Sequence, residues 1–69
     1  MSKEQANIGA SVRKYRLEKK LSQEKLARHA DLAFPTIAKI ESGETSNPTI
    51  DTVRKIAEAL GVSVDELLK

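Results

Sequence analysis

Apolar residues along the chain fall into five short runs of helical period. Ile8, Val12 and Tyr15 stand at i, i+4 and i+7, one face of an α-helix, and predict a first helix from about Asn7 to Lys19. Leu26, Ala27 and Ala30 recur at i, i+1 and i+4 behind Ser22, whose hydroxyl can accept from a free N–H of a first helical turn. Asp31 then offers a turn residue and Leu32 an apolar plug. Ile37 and Ile40 mark a third helix, which Ser42-Gly43 ends, since glycine reaches the left-handed cap conformation without a Cβ penalty. After the polar stretch Glu44–Asn47 and Pro48, Thr49 caps a fourth helix from about Ile50 to Leu60, with Ile50, Val53, Ile56, Ala57 and Leu60 as its apolar set. Gly61 stops it. Ser63-Val64-Asp65-Glu66 fits the S-x-x-E capping box of a last short helix. No strand-period alternation interrupts the series, so the expected fold is all-α: five short helices in one domain over residues 7–69, with a short flexible arm at 1–6.

The second and third runs, joined by a turn of about four residues, describe a helix-turn-helix, an arrangement whose second helix would enter the major groove of DNA. The charge distribution agrees with such a partner. Net charge is only +2, but residues 1–30 hold eight Lys and Arg against three acidic residues, while residues 31–69 hold four against seven. A basic face could meet phosphate while an acidic face turns away; the plainer alternative is that the first helix has a solvated charged side.

Other chemistries find little support. The chain has no cysteine, so it offers neither a disulfide framework nor a thiolate metal site. His29 is the only histidine, with no thiol or paired carboxylate beside it, and each of the three glycines is assigned to a turn or helix terminus rather than to a phosphate-cradling loop. An enzyme is not expected, nor a cofactor or metal. No apolar run approaches the ~20 residues that span a bilayer, the first residues carry no hydrophobic signal core, and Ile8, Val12 and Tyr15 alone make too small a face for membrane-surface binding. A soluble, cytoplasmic protein is expected.

The residues also resemble the lambda-repressor/Cro type of helix-turn-helix regulators. The resemblance is carried by Leu21-Ser22-Gln23-Glu24-Lys25-Leu26-Ala27, by Thr36-Ile37 with Ile40-Glu41-Ser42-Gly43, and by Ile56 to Leu68, in that order and with these gaps. It covers roughly residues 8 to 68 and implies a lambda-repressor-like DNA-binding domain acting as a transcriptional regulator. Members of that type usually have glycine where Lys20 stands, and a small hydroxyl or Asp where Ala33 stands. A left-handed Lys20 would cost roughly 1 kcal/mol relative to glycine. Pro35 partly compensates for the missing cap, since proline in a first turn removes an N–H that had no partner.

The resemblance also assigns roles. Matched positions at Phe34, Pro35 and Lys39 carry base-contacting side chains, and these three lie opposite Ile37 and Ile40 by helical rotation. Phe34 and Pro35 offer base edges no hydrogen bonds but can pack on thymine methyls, and Lys39 can donate to guanine or fall back on phosphate. The alternatives are a Phe34 turned into the core and a Pro35 that only starts the helix. Gln23 would grip a phosphate together with free N–H groups at its helix start, and brace the third helix; Ser22 is a cap that could also touch the DNA backbone. Thr36, Ser42, Ser46, Asn47 and Thr49 could line the sugar-phosphate edge, or serve ordinary turn chemistry. Arg16 and Glu41 are expected to form an ion pair that fixes the third helix on the first and holds the Arg16 guanidinium near phosphate. One small module makes few base contacts, which implies a homodimer reading two half-sites about 34 Å apart. Its apolar patch is expected around Leu60, Val62, Leu67 and Leu68, although these residues could equally seal the core. The alternative function is a protein-interaction module, such as an antitoxin or a repressor component held by a protein antagonist.

Overall fold

The computed structural model describes residues 7–69, and the arm expected at residues 1–6 lies outside them. Five helices follow in order: α1 (Ile8–Glu18), α2 (Gln23–Ala30), α3 (Phe34–Ser42), α4 (Ile50–Leu60) and α5 (Val64–Leu68). Their starts are made by short polar side chains. Asn7 Oδ1 accepts from the Ala10 N–H at 3.2 Å, Ser22 Oγ from Lys25 N–H at 3.0 Å and Thr49 Oγ1 from Thr52 N–H at 3.2 Å. At Ser63 the capping box closes in both directions: Ser63 Oγ accepts from Glu66 N–H, and Glu66 Oε1 from Ser63 N–H at 3.0 Å.

Three helix junctions share one design. After α1, α2 and α4 a single left-handed residue (Lys20 at φ 60°, Asp31 at φ 60°, Gly61 at φ 71°) turns the chain. The next residue is apolar, and its N–H reaches back into the helix: Leu21 to Arg16 O at 3.0 Å, Leu32 to Ala27 O at 2.8 Å and Val62 to Ala57 O at 3.0 Å. This satisfies carbonyls that a helix end would leave open and drops an apolar plug onto the core. Leu21, Leu32 and Val62 all pack against the buried cluster. Ala33 is the exception at the third step, since no side chain caps α3 there and Pro35 stands in its first turn.

The core gathers Ile8 and Val12 from α1, Leu26 and Ala27 from α2, Ile37 and Ile40 from α3, Val53, Ile56, Ala57 and Leu60 from α4, and Leu67 from α5. Around it α2 packs on α3 and α4, while α1 packs on α3 and α5. Two expectations are corrected. Ile50 opens α4 outside its buried stripe and is 64% exposed; the stripe begins one turn later, at Val53. Leu60 and Leu67 are 1% and 0% exposed, so neither is available to a partner. The capping box at Ser63 turns α5 back so that Leu67 fills the core, which leaves only exposed Leu68 and half-buried Val62 of the expected patch on the surface. Gly9 stands in the first turn of α1, buried against α3.

Candidate nucleic-acid interface

The seating of α3 determines what the interface can do. Ile37 and Ile40 are only 0% and 1% exposed, anchoring one side of the helix. The opposite side carries exposed Pro35, Lys39 and Ser42 and half-exposed Ala38, with Phe34, 49% exposed, on its flank. Phe34 therefore does not turn into the core. Gly9 lets α1 approach α3 backbone to backbone: a Cβ placed there would stand 2.3 Å from the Ile40 carbonyl oxygen.

A polar tie closes the other end of α3. Arg16 Nε donates to Glu41 Oε2 at 2.6 Å and Arg16 Nη2 to Glu41 Oε1 at 3.0 Å, a bidentate pair. Arg16 Nη1 donates to the Leu21 carbonyl at 2.8 Å, and Gln23 Nε2 to Glu41 Oε1 at 3.0 Å. One carboxylate thus joins α1, the α1–α2 turn, α2 and α3. Hydrogen bonding to Glu41 raises the Arg16 pKa above its already high ordinary value, so the guanidinium is charged at any pH at which the chain folds. The side chains of Arg16 and Glu41 are 11% and 4% exposed, and the pair is a structural one. Three of the five Arg16 N–H groups are committed within the chain, and little of the side chain is open. Gln23 takes the bracing role, with one amide N–H spent on Glu41.

The hydroxyls after α3 are differently placed from one another. Ser42 Oγ donates to the Lys39 carbonyl at 3.1 Å and accepts from Glu44 N–H at 3.2 Å. Thr49 Oγ1, besides capping α4, bonds Thr52 Oγ1 at 3.0 Å. Ser22 is engaged as a cap, and Thr36 is half-buried on the flank of α3. Ser46 and Asn47 are exposed and line a groove with Asn7, Gly43 and Thr45, between the start of α1 and the loop after α3. Arg13 shares a shallow depression with Arg16, Gln23, Glu41 and Ser42; it is exposed and is the cation beside the Glu41 tie. Arg13, Ala38 and Gly9 were not singled out from sequence. Helical rotation opposite Ile37 would have found Ala38, and a glycine inside a helical run is itself a packing signal.

A family model described as helix-turn-helix matches residues 12–67. The chain belongs to the helix-turn-helix family of lambda-repressor/Cro-type regulators. It is 48% identical over 62 residues to the control protein C.BamHI of Bacillus amyloliquefaciens, covering 88% of this chain and 75% of that protein. It is 38% identical over 61 residues to the transcriptional regulator SinR of Bacillus subtilis, but spans only 55% of SinR. The fold superposes with a TM-score of 0.84 on the restriction-modification controller protein C.AhdI from Aeromonas hydrophila, at 32% identity and covering 91% of this chain and 94% of that one. With SinR crystallised in complex with DNA the TM-score is 0.87, at 37% identity and covering 90% and 98%. Among the described residues no helix is long and apolar enough to cross a membrane.

Proposed function

We propose that this chain is a sequence-specific double-stranded DNA-binding transcriptional regulator that acts as a repressor and reads the major groove with α3. The observation that carries the proposal is the seating of α3. Its isoleucines are locked inward, its end is fixed by Glu41, and Phe34, Pro35 and Lys39 stand exposed on or beside the opposite side. Exposed Arg13, Lys14, Lys25 and Arg28 on α1 and α2 supply the cations that a phosphate backbone attracts. The likeness to SinR, which was crystallised on DNA, supports the same partner.

Gln23, at the N-terminus of α2, retains free amide capacity for a phosphate, and Ser46 and Asn47 stand where the loop after α3 can follow the sugar-phosphate edge. Two copies binding as a dimer to a near-palindromic operator would place their α3 helices about 34 Å apart, one turn of duplex. Leu68 and Val62 are the members of the apolar C-terminal set left to join them. Selection of bound sequences from random duplex DNA, with the stoichiometry of the selected complex measured, tests the proposal. An enriched near-palindrome bound by two chains is expected. No enrichment even at low salt would reject it.

A further inference from the structure

The outward side of α3 is short of hydrogen-bond donors, and its poverty has a pattern. Ala33, Phe34 and Pro35 are exposed in succession, and Ala38 continues the apolar strip one turn on. Pro35 has no N–H, and the Thr36 N–H is spent on the Ala33 carbonyl at 3.0 Å. The Ser42 hydroxyl hydrogen is spent on the Lys39 carbonyl. Glu41 is only 4% exposed at its side chain and holds Arg16 and Gln23. Among the exposed side chains of this side the free donor is the Lys39 ammonium, for which no carboxylate partner is found among the described residues, while the Thr36 hydroxyl stands half-buried on the flank.

Resting on the function proposed above, we infer that α3 reads its half-site chiefly through thymine C5-methyl groups, packed against Phe34, Pro35 and Ala38, with Lys39 the one side chain of α3 that hydrogen-bonds a base edge. The chemistry follows from what each base shows in the major groove. Only thymine presents an apolar group there, whereas guanine presents the O6 and N7 acceptors that an ammonium can reach. A strip of this composition gains nothing from cytosine N4 or adenine N6, because it offers no acceptor to either. The target class is therefore a thymine-rich half-site with a guanine at the Lys39 step.

The test uses the full chain and its selected duplex. Each thymine of a half-site is replaced in turn by deoxyuridine, which removes the methyl and leaves base pairing intact. At thymines facing the strip, affinity should fall about fourfold, the transfer free energy of one buried methyl expressed as an equilibrium ratio. Phe34→Ala, at a site already half exposed, should bring thymine and uridine duplexes to within about twofold of each other at one of those positions. A merely structural loss would weaken both duplexes alike and leave their ratio unchanged. Uridine duplexes that all bind within about twofold of the parent would overturn the inference while leaving sequence-specific binding intact. Failure to select any sequence would overturn both.

Discussion

Gly9→Ala sets two opposed effects against each other at the contact between α1 and α3. In an open helix the change stabilises by roughly 0.5–1 kcal/mol, because glycine loses more backbone freedom on folding. Here the new methyl would lie 2.3 Å from the Ile40 carbonyl oxygen, 3.2 Å from the Glu41 carbonyl oxygen and 3.3 Å from the Glu41 Cα. All three are backbone atoms, so no rotamer change relieves the clash. Ordinary contact begins at 3.4 Å, so the two helices must part by about 1 Å at this point, a displacement of the size that overpacked cores make at a cost of about 1–3 kcal/mol. The clash should win, leaving a net loss of about 1–2 kcal/mol. That is a large share of the roughly 3–10 kcal/mol expected for a domain of this length, and should lower Tm by about 5–15 °C. Urea and thermal unfolding followed by far-ultraviolet circular dichroism give the number. The parting falls at Ile40–Glu41, so DNA affinity should fall as well at temperatures where the variant is fully folded. A Gly9→Ala protein as stable as the parent, or more so, would refute the close approach.

Three further outcomes are expected. Glu41→Ala strands a guanidinium that is only 11% exposed, and should cost about 3–5 kcal/mol in chemical denaturation; a loss under about 1 kcal/mol would place the pair in solvent-screened surroundings. Lys20→Gly relieves a left-handed residue at φ 60° and should stabilise by about 1 kcal/mol, read as a raised urea midpoint. Glu66 has its carboxyl pKa held below the ordinary value, chiefly by the Ser63 N–H. Its contribution is therefore present above the unfolded-state pKa near 4.3 and is lost as pH falls through the lower folded value. Glu66→Gln keeps an acceptor for the Ser63 N–H but no titrating charge, so the stability–pH profile of the variant should be flatter than the parent's below about pH 5.

The helix limits were legible in sequence because their determinants are local. Ser22, Thr49, Ser63, Gly43 and Gly61 act on their own turns whatever the rest of the chain does. The Arg16–Glu41 pair was legible through family resemblance, since 25 residues separate its members and only the packing of α1 on α3 joins them. Burial at the C-terminus was less legible. Leu60, Val62, Leu67 and Leu68 read alike as core or as partner surface, because an apolar side chain does not declare which apolar neighbour it meets. The direction α5 takes from Ser63 settles it, sending Leu67 inward and leaving Leu68 45% exposed. Ile50 was assigned to the buried stripe from its period, but a helix's first residue can lie beyond the edge of the surface the helix covers. Gly9 escaped for a related reason, since a missing side chain is defined by its neighbours.

The most direct measurement of the central claim compares base preferences selected by the parent chain and by Lys39→Ala. Lys39 is exposed on α3, opposite the buried isoleucines. If α3 reads the groove with that side, the variant keeps its fold and most of its preferences, and loses about 1–3 kcal/mol of discrimination at one base pair of each half-site. Unchanged preference at every base pair, or a uniform weakening across all sequences, would contradict it.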